Sequence, residues 1–510
     1  MSHFDWTLDG SIVGVYLLLT MIAGLAVRKY VGKVEDFLVA GREMNVYLGI
    51  ASLAATEFGI ITCMYTAQGG YQNGFAGATP GILQTIAMFL IGWTGFCIKP
   101  LRDSGAMTIP ELYERRFGPR IRRAAGVVIV LGGLLNMGVF LRIGGEFLVV
   151  ATGFDAKYLV ATMAALLLLV AVYTVLGGML SVLVTDFLQF VVMSVGLIVV
   201  TALVLYHVGW DKLVETVATK HGEGGFNPFV NKNQGWQFVA FQALHNTAAT
   251  LTWQTVTARL LAAKDTRTGQ RIFTQTSFFF TCRWLIPGVW GIAALATLAP
   301  AAYLTLSPAM QAEPALYAMP LFLSTFVPVG LMGLLVAAML AADMSTDSSY
   351  MLTWASVIYN DILAPFKRPG WTEKKGLLLN RAIVACIGVF LLFYGLLYPL
   401  KGNLWDYLAQ TGTIYLASMS VLLVACCYWK RANSWGAAAA IAVGAFVPLA
   451  FLTLKLLVPP EGASLSDIRF QTHRFVTELG PNWAGLITYA ATALAMVVGS
   501  LLKPPAREAR

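Results

Sequence analysis

The chain is 510 residues long, 57% hydrophobic and 12% charged, with a mean hydropathy of +0.69. Soluble proteins carry about 25% charged residues, so this composition excludes a soluble enzyme or free binding module and points to a polytopic membrane protein seated in a lipid bilayer. The net charge of +9 is not a nucleic-acid footprint, because the basic residues lie between apolar runs and mostly on one side of them.

Apolar runs of about 20 residues predict thirteen helices, roughly 9–28, 46–68, 80–98, 124–152, 157–177, 179–207, 236–258, 272–299, 319–349, 377–398, 404–428, 434–456 and 482–502. The first follows a segment with Asp5 and Asp9 and no Lys or Arg, and precedes Arg28, Lys29 and Lys33. That polarity fits a helix inserted with its N-terminus outside, not a cleaved signal. Alternating the loops from there puts 25 of the 35 Lys and Arg, Arg259 among them, on one side and 7 on the other. The positive-inside rule makes the first side, with the C-terminus, cytoplasmic, in a plasma membrane of the bacterial inner-membrane kind. The longest connections, 208–235 and 457–481, are too short for a soluble domain. The six cysteines show no metal-ligand spacing and read as small buried residues.

Two spans look interrupted. The second holds Ala55-Thr56-Glu57-Phe58-Gly59, and the seventh holds the polar run His245 to Thr250. Five helices separate their starts and they run in opposite directions. Broken helices at matching places in two oppositely oriented halves mark an inverted-repeat transporter, in which unwound carbonyls line a cavity and hold a cation.

The spans also carry Glu57, Glu146, Asp186, Asp343 and Asp347 against Arg142 and Arg283. Arg142 and Glu146, four apart, pair on one helix. About three acids remain, and each must be paired, protonated or satisfied by a bound cation. In Leu340 to Tyr350, Ala342, Ser345, Ser348 and Ser349 share one helical face with Thr346 at its border, while Asp343, Asp347 and Tyr350 occupy the next. Neutral oxygens with acids nearby suit a hard cation such as Na+. Asp186 lies at a depth similar to this cluster, so the two can meet. The same acids leave open proton coupling, and a membrane enzyme using Asp343 and Asp347. There is no Walker A loop, zinc spacing, Ser-x-x-Lys or nucleophile elbow, so no catalytic residue is assigned and transport is preferred to catalysis.

Several short motifs recur in order: Phe37-Leu38-Val39-Ala40-Gly41-Arg42, Gly69-Gly70-Tyr71, Thr108-Ile109-Pro110-Glu111, Gly177-Gly178 with Thr185-Asp186 and Gln189, Gln254 with Arg259, Ala341-Ala342 with Met344-Ser345-Thr346, and Asn360-Asp361. With them, the sequence from Asp36 to Arg431 resembles the sodium:solute symporter family, which includes the sodium–glucose and sodium–proline symporters. The resemblance implies an all-α fold of two five-helix inverted repeats, 46–207 and 236–428, with extra helices at 9–28 and 434–502. It implies a shared sodium site of carbonyls near Ala55, Phe58 and Ala342 with the hydroxyls of Ser345 and Thr346. A second ion would be held by Asp186, Ser345, Ser348 and Ser349. Asn246 matches a sugar-contacting Asn, and Arg283 falls near a sugar-contacting Lys. Ala249 and Thr62 depart from the glucose-type pocket at its aromatic gate and at a Gln. Glu57, Gln68, Gln84, Gln410, Thr413 and His245 are further candidates for the cavity, and Arg142, Glu146, Asp343 and Asp347 for a coupling network. The implied function is sodium-coupled import of a sugar, carboxylate or amino-acid-like solute by alternating access, with no obligatory protein partner.

Overall fold

The computed structural model describes residues 2–363, 366, 371–398, 402–456 and 468–503. Among the charges used for orientation, Lys367, Arg368, Lys401, Arg507 and Arg510 lie outside these residues. The described residues form helices and no strand; one isolated bridge joins Met44 to Ala263.

Leaving aside the short connecting helices, the chain runs as α1 (Leu8–Val27), α2 (Val46–Thr56), α3 (Ile60–Asn73), α4 (Thr79–Thr94), α5 (Pro119–Met137), α6 (Phe140–Thr152), α7 (Leu159–His207, kinked at Gly178), α8 (Trp210–His221), α9 (Gly235–Thr252), α10 (Gln254–Ala262), α11 (Thr266–Thr297), α12 (Pro314–Phe326), α13 (Leu331–Val357), α14 (Glu373–Leu397), α15 (Leu404–Tyr428), α16 (Ser434–Leu456) and α17 (Ile468–Leu502, kinked at Gly480). Ten helical runs among the described residues are long and apolar enough to cross a membrane; Ile60–Thr94 joins α3 to α4, Pro119–Thr152 joins α5 to α6, and Ala156–His207 holds the kinked α7.

The last span starts earlier than expected, since α17 begins at Ile468 inside the 457–481 connection, and three differences reach the core. The span 319–349 is two helices, α12 and α13, because Val327-Pro328-Val329-Gly330 interrupts the ladder where Pro328 has no N–H to give. The break in the seventh span falls at Trp253, not in the polar run before it. Asn246, Thr247 and Thr250 turn their side chains onto carbonyls one turn back, at Gln242, Ala243 and Asn246, so α9 continues through them. The fourth span bends between α5 and α6, at Gly138–Val139.

Apolar side chains such as Leu18 and Ile22 on α1 and Phe393 on α14 face outward, as lipid-facing residues do. At the centre lies α13, with all but a few of its residues buried. Glycine sets one crossing. A methyl at Gly70 would overlap the carbonyl of Gly288, and one at Gly291 the carbonyl of Ala67, so α3 and α11 cross main chain against main chain.

Candidate functional site

The first helix break, Glu57–Gly59, is pressed against α13. Glu57 leaves helical geometry at φ −85°, ψ 2°, and Gly59 is extended. A Cβ at Gly59 would stand 2.7 Å from the Thr346 hydroxyl, so glycine lets α13 approach this closely. Thr346 donates to the Thr56 carbonyl at 2.9 Å, and Ser345 donates to Asp186 Oδ1 at 2.6 Å. Each hydroxyl has given away its single proton, so what it offers to the space between is lone pairs. Ala55, Phe58 and Ala342 are wholly buried in the same seam. The Phe58 carbonyl in the break, the Ala55 carbonyl in the last turn of α2 and two proton-donating hydroxyls are a donor set of the kind that fits Na+.

Beside it stands a cation supplied by the chain. Arg259, on α10 just past the second break, is wholly buried. Its Nη2 donates to Asp186 Oδ2 at 3.1 Å, to Ser349 Oγ at 2.6 Å and to Thr56 Oγ1 at 2.6 Å, and its Nε to Ser52 Oγ at 3.1 Å. Ser52 in turn bonds Asp186. Ser348 bonds the Ser345 carbonyl at 3.1 Å. Two of the four residues expected around a second ion, Asp186 and Ser349, therefore share a guanidinium. Sequence reasoning placed Arg259 among the loop charges because Lys264, Arg267 and Arg271 follow it. Its distance from the break was the available signal: six residues of helix past Trp253 advance only about 9 Å.

The two breaks face a narrow cavity of about 60 Å³. Glu57, Thr62, Gln84, Asn246 and Arg283 line it, as do His245 and Ala249. Glu57 and Arg283 pair across it at 3.2 Å; Glu57 also accepts from Thr255 at 2.6 Å, and Arg283 donates to Tyr65 at 2.6 Å. Asn246 bonds Gln242, and His245 meets Thr413 at 3.3 Å. Tyr65 and Trp405 line both this cavity and a second one toward the Lys- and Arg-poor end, bordered by Asn73, Asn233, Gln234 and Asp406. Their rings stand 5.0 Å apart, and Trp284 packs on both at 5.1 and 4.9 Å. These aromatics had no signature beyond apolarity and were not singled out from the sequence.

Gln68 and Gln410 are not brought to the cavity. Gln68 accepts from Leu404 N at 3.0 Å and so ties α3 to the start of α15, while Gln410 donates to the Pro481 carbonyl at 2.7 Å. Both amides serve backbone groups, at the start of α15 and at the kink of α17, instead of a solute. Arg142 and Glu146 pair at 2.9 Å, with Tyr317 on Glu146. Asp343 and Asp347 are buried with no hydrogen bond or ion pair among the described residues. The carboxylate of Asp343 lies against Gly144 of α6. With Arg259 counted, three of the five intramembrane acids have a basic partner and these two do not.

The profile of the sodium:solute symporter family matches residues 37–444. Sodium/glucose cotransporter 4 of Danio rerio is 25% identical over 98% of this chain and 79% of its own length. The osmoregulated proline transporter of Bacillus subtilis is 24% identical over 87% of this chain and 88% of its own. The solved structure of a substrate-bound, outward-open Na+-coupled sialic acid symporter covers 99% of this chain and all of its own, with a TM-score of 0.80 at 18% identity, a likeness of fold. The seam between a broken helix and α13, the cavity beside it and the family match over most of the chain lead to one conclusion: the chain belongs to the sodium:solute symporter family and couples solute symport to sodium.

Proposed function

We propose that the protein imports a small organic solute together with one sodium ion, by alternating access. The observation that carries this reading is the bond from Thr346 to the Thr56 carbonyl, which joins α13 to the first break. The carbonyls of Ala55, Phe58 and Ala342 and the hydroxyls of Ser345 and Thr346 hold the ion. Because these groups belong to two separate elements, the ion favours the state in which they meet. Arg259 takes the place of a second ion: it already neutralises Asp186 and engages Ser349. The solute sits between the breaks, in contact with Glu57, Gln84, Asn246 and Arg283. The N-terminus lies outside and the C-terminus in the cytoplasm of a bacterial-type inner membrane, so the cavity beyond Tyr65 and Trp405 is the outer vestibule. Residues 46–207 and 236–428 form the two repeats.

The test is thermal stability of the purified protein in detergent, with sodium titrated against potassium at fixed pH. A ligand that binds only the folded state at about 100 times its Kd adds about 2.7 kcal/mol. Sodium is expected to raise the midpoint with a one-site dependence, and Thr346→Ala to flatten the response. A protein indifferent to sodium but stabilised by lower pH would move coupling to Asp343 and Asp347.

A further inference from the structure

One end of the binding cavity is rich in donors and poor in acceptors. Three buried N–H groups, there and where this cavity meets the second, have no acceptor among the described residues: those of Arg283 Nε and Trp405 Nε1, whose side chains line the binding cavity, and that of Trp284 Nε1, whose side chain lines the second. They belong to one cluster. Trp284 follows Arg283 on α11, its ring is 4.9 Å from that of Trp405, and Tyr65 touches both rings while accepting from Arg283. The nearby acceptors are engaged: Glu57 Oε1 by Thr255, Glu57 Oε2 by Arg283 Nη1, and the Tyr65 oxygen by Arg283 Nη2. A guanidinium has five N–H groups, and these bonds use two. Buried donors are rarely left unpaired, because the desolvation is then uncompensated. What this end of the cavity lacks is an anion.

Charge leads to the same place. Glu57 and Arg283 neutralise each other. The sodium site proposed above is made of neutral oxygens, and the two unpaired acids of α13, Asp343 and Asp347, do not line the cavity, so the ion brings a positive charge beside Thr56 and Thr346 that no unpaired acid of the cavity lining meets. A solute with one negative charge balances it. A cation would add to it, and a dianion would overshoot. A neutral polyol brings a donor with every acceptor and leaves the donor-rich end unmet.

We propose that the solute is a monocarboxylate, its carboxylate held by Arg283 with the indole N–H groups of Trp284 and Trp405. This deepens the symport reading and rests on it. Arginine suits the role because its planar fork meets both oxygens of a carboxylate.

The test uses the full chain in detergent, in sodium and in potassium chloride, with chemically matched probes: gluconate and glucuronate against sorbitol and glucose, lactate and pyruvate against propanediol, with succinate and choline added. At least one monocarboxylate is expected to raise the thermal midpoint further in sodium while its neutral counterpart does not. Arg283→Gln is expected to weaken that response about tenfold or more while keeping the response to sodium alone. Since Arg283→Gln leaves Glu57 unpaired and the fold at risk, two further variants carry the same reading. The double variant Glu57→Gln/Arg283→Gln keeps the pair neutral, and Trp405→Phe removes one N–H but keeps a ring; both are expected to weaken carboxylate binding. The proposal is overturned if neutral probes act and carboxylates do not, if no carboxylate acts, or if binding survives in all three variants. A carboxylate response in a protein indifferent to sodium would keep this site and discard the coupling.

Discussion

At the scale of single residues, the pair Arg259–Asp186 governs the centre of the molecule. Both side chains are wholly buried. Removing one partner of such a pair leaves a charge in a dry seam, at a cost of about 3–5 kcal/mol. Arg259→Ala is therefore expected to lower the thermal midpoint more than Thr346→Ala does, and Arg259→Gln/Asp186→Asn to recover much of the loss. Arg259→Lys is no conservative change, since one ammonium cannot reach Ser52, Thr56, Ser349 and Asp186 together. Detergent melts of the four proteins check this; equal melts for the single and double variants would remove the buried charge as the cause. Sequence reasoning singled out Asp186, Ser345 and Thr346 by residue type and motif, and the structure brings Ser345 onto Asp186 and Thr346 onto the first break. It missed Arg259 because charge counting assigns a residue to a loop by its neighbours along the chain, whereas burial depends on neighbours in space. The same reason hid the pairing of Glu57 with Arg283, 226 positions apart.

Among elements, the long apolar helices were legible and their interruptions only partly so. The first break was foreseen because a charge and a glycine fall together in an apolar run. The second was displaced because hydroxyl and amide side chains bond the helix that bears them, which polarity alone does not reveal. Two expectations belong here. Gly291→Ala forces a methyl into the Ala67 carbonyl, and such overpacking costs about 1–3 kcal/mol; the check is a lowered midpoint with the sodium dependence retained. The other concerns α8, outside the spans, where His221 Nε2 meets the Tyr71 carbonyl at 3.1 Å. Burial holds the imidazole below its usual value, and the bond to Tyr71 opposes this only in part. The folded state thus takes up a proton less readily than the unfolded chain. The contribution of neutral His221 is present above about pH 6.5 and declines as the pH falls below it. The midpoint is expected to drop between about pH 7 and pH 5.5 by more in the wild type than in His221→Gln; matching profiles would count against it.

Across the whole molecule, α3, α4, α9 and α11 pack closely as one group, and α6, α7, α13 and α14 as another. The seam proposed to hold sodium joins the first break to α13 and so bridges the two groups. Membership of the membrane and of the family was legible because bilayer thickness writes a length onto every span and loop charge writes a direction. The solute was not, because the cavity proposed to hold it is lined by helices far apart in sequence, from α2 to α15. If one sodium ion travels with one monocarboxylate, a cycle moves no net charge. Sodium-driven uptake into proteoliposomes, with the carboxylate found in the melts, is then expected to be the same whether the membrane potential is clamped at zero or made inside-negative; a strong acceleration by the potential would require a second ion or a neutral solute. Mechanics adds a constraint. Where Gly70 meets Gly288, no side chains lie between the two backbones to act as a cushion. α3 cannot glide along α11; it can only carry its neighbour with it. Push on either helix and both respond as a single lever, joined to α2 through the non-helical stretch at 57–59. A compound meant to jam this transporter has little to gain along the shaft of α3, and everything to gain by wedging that joint.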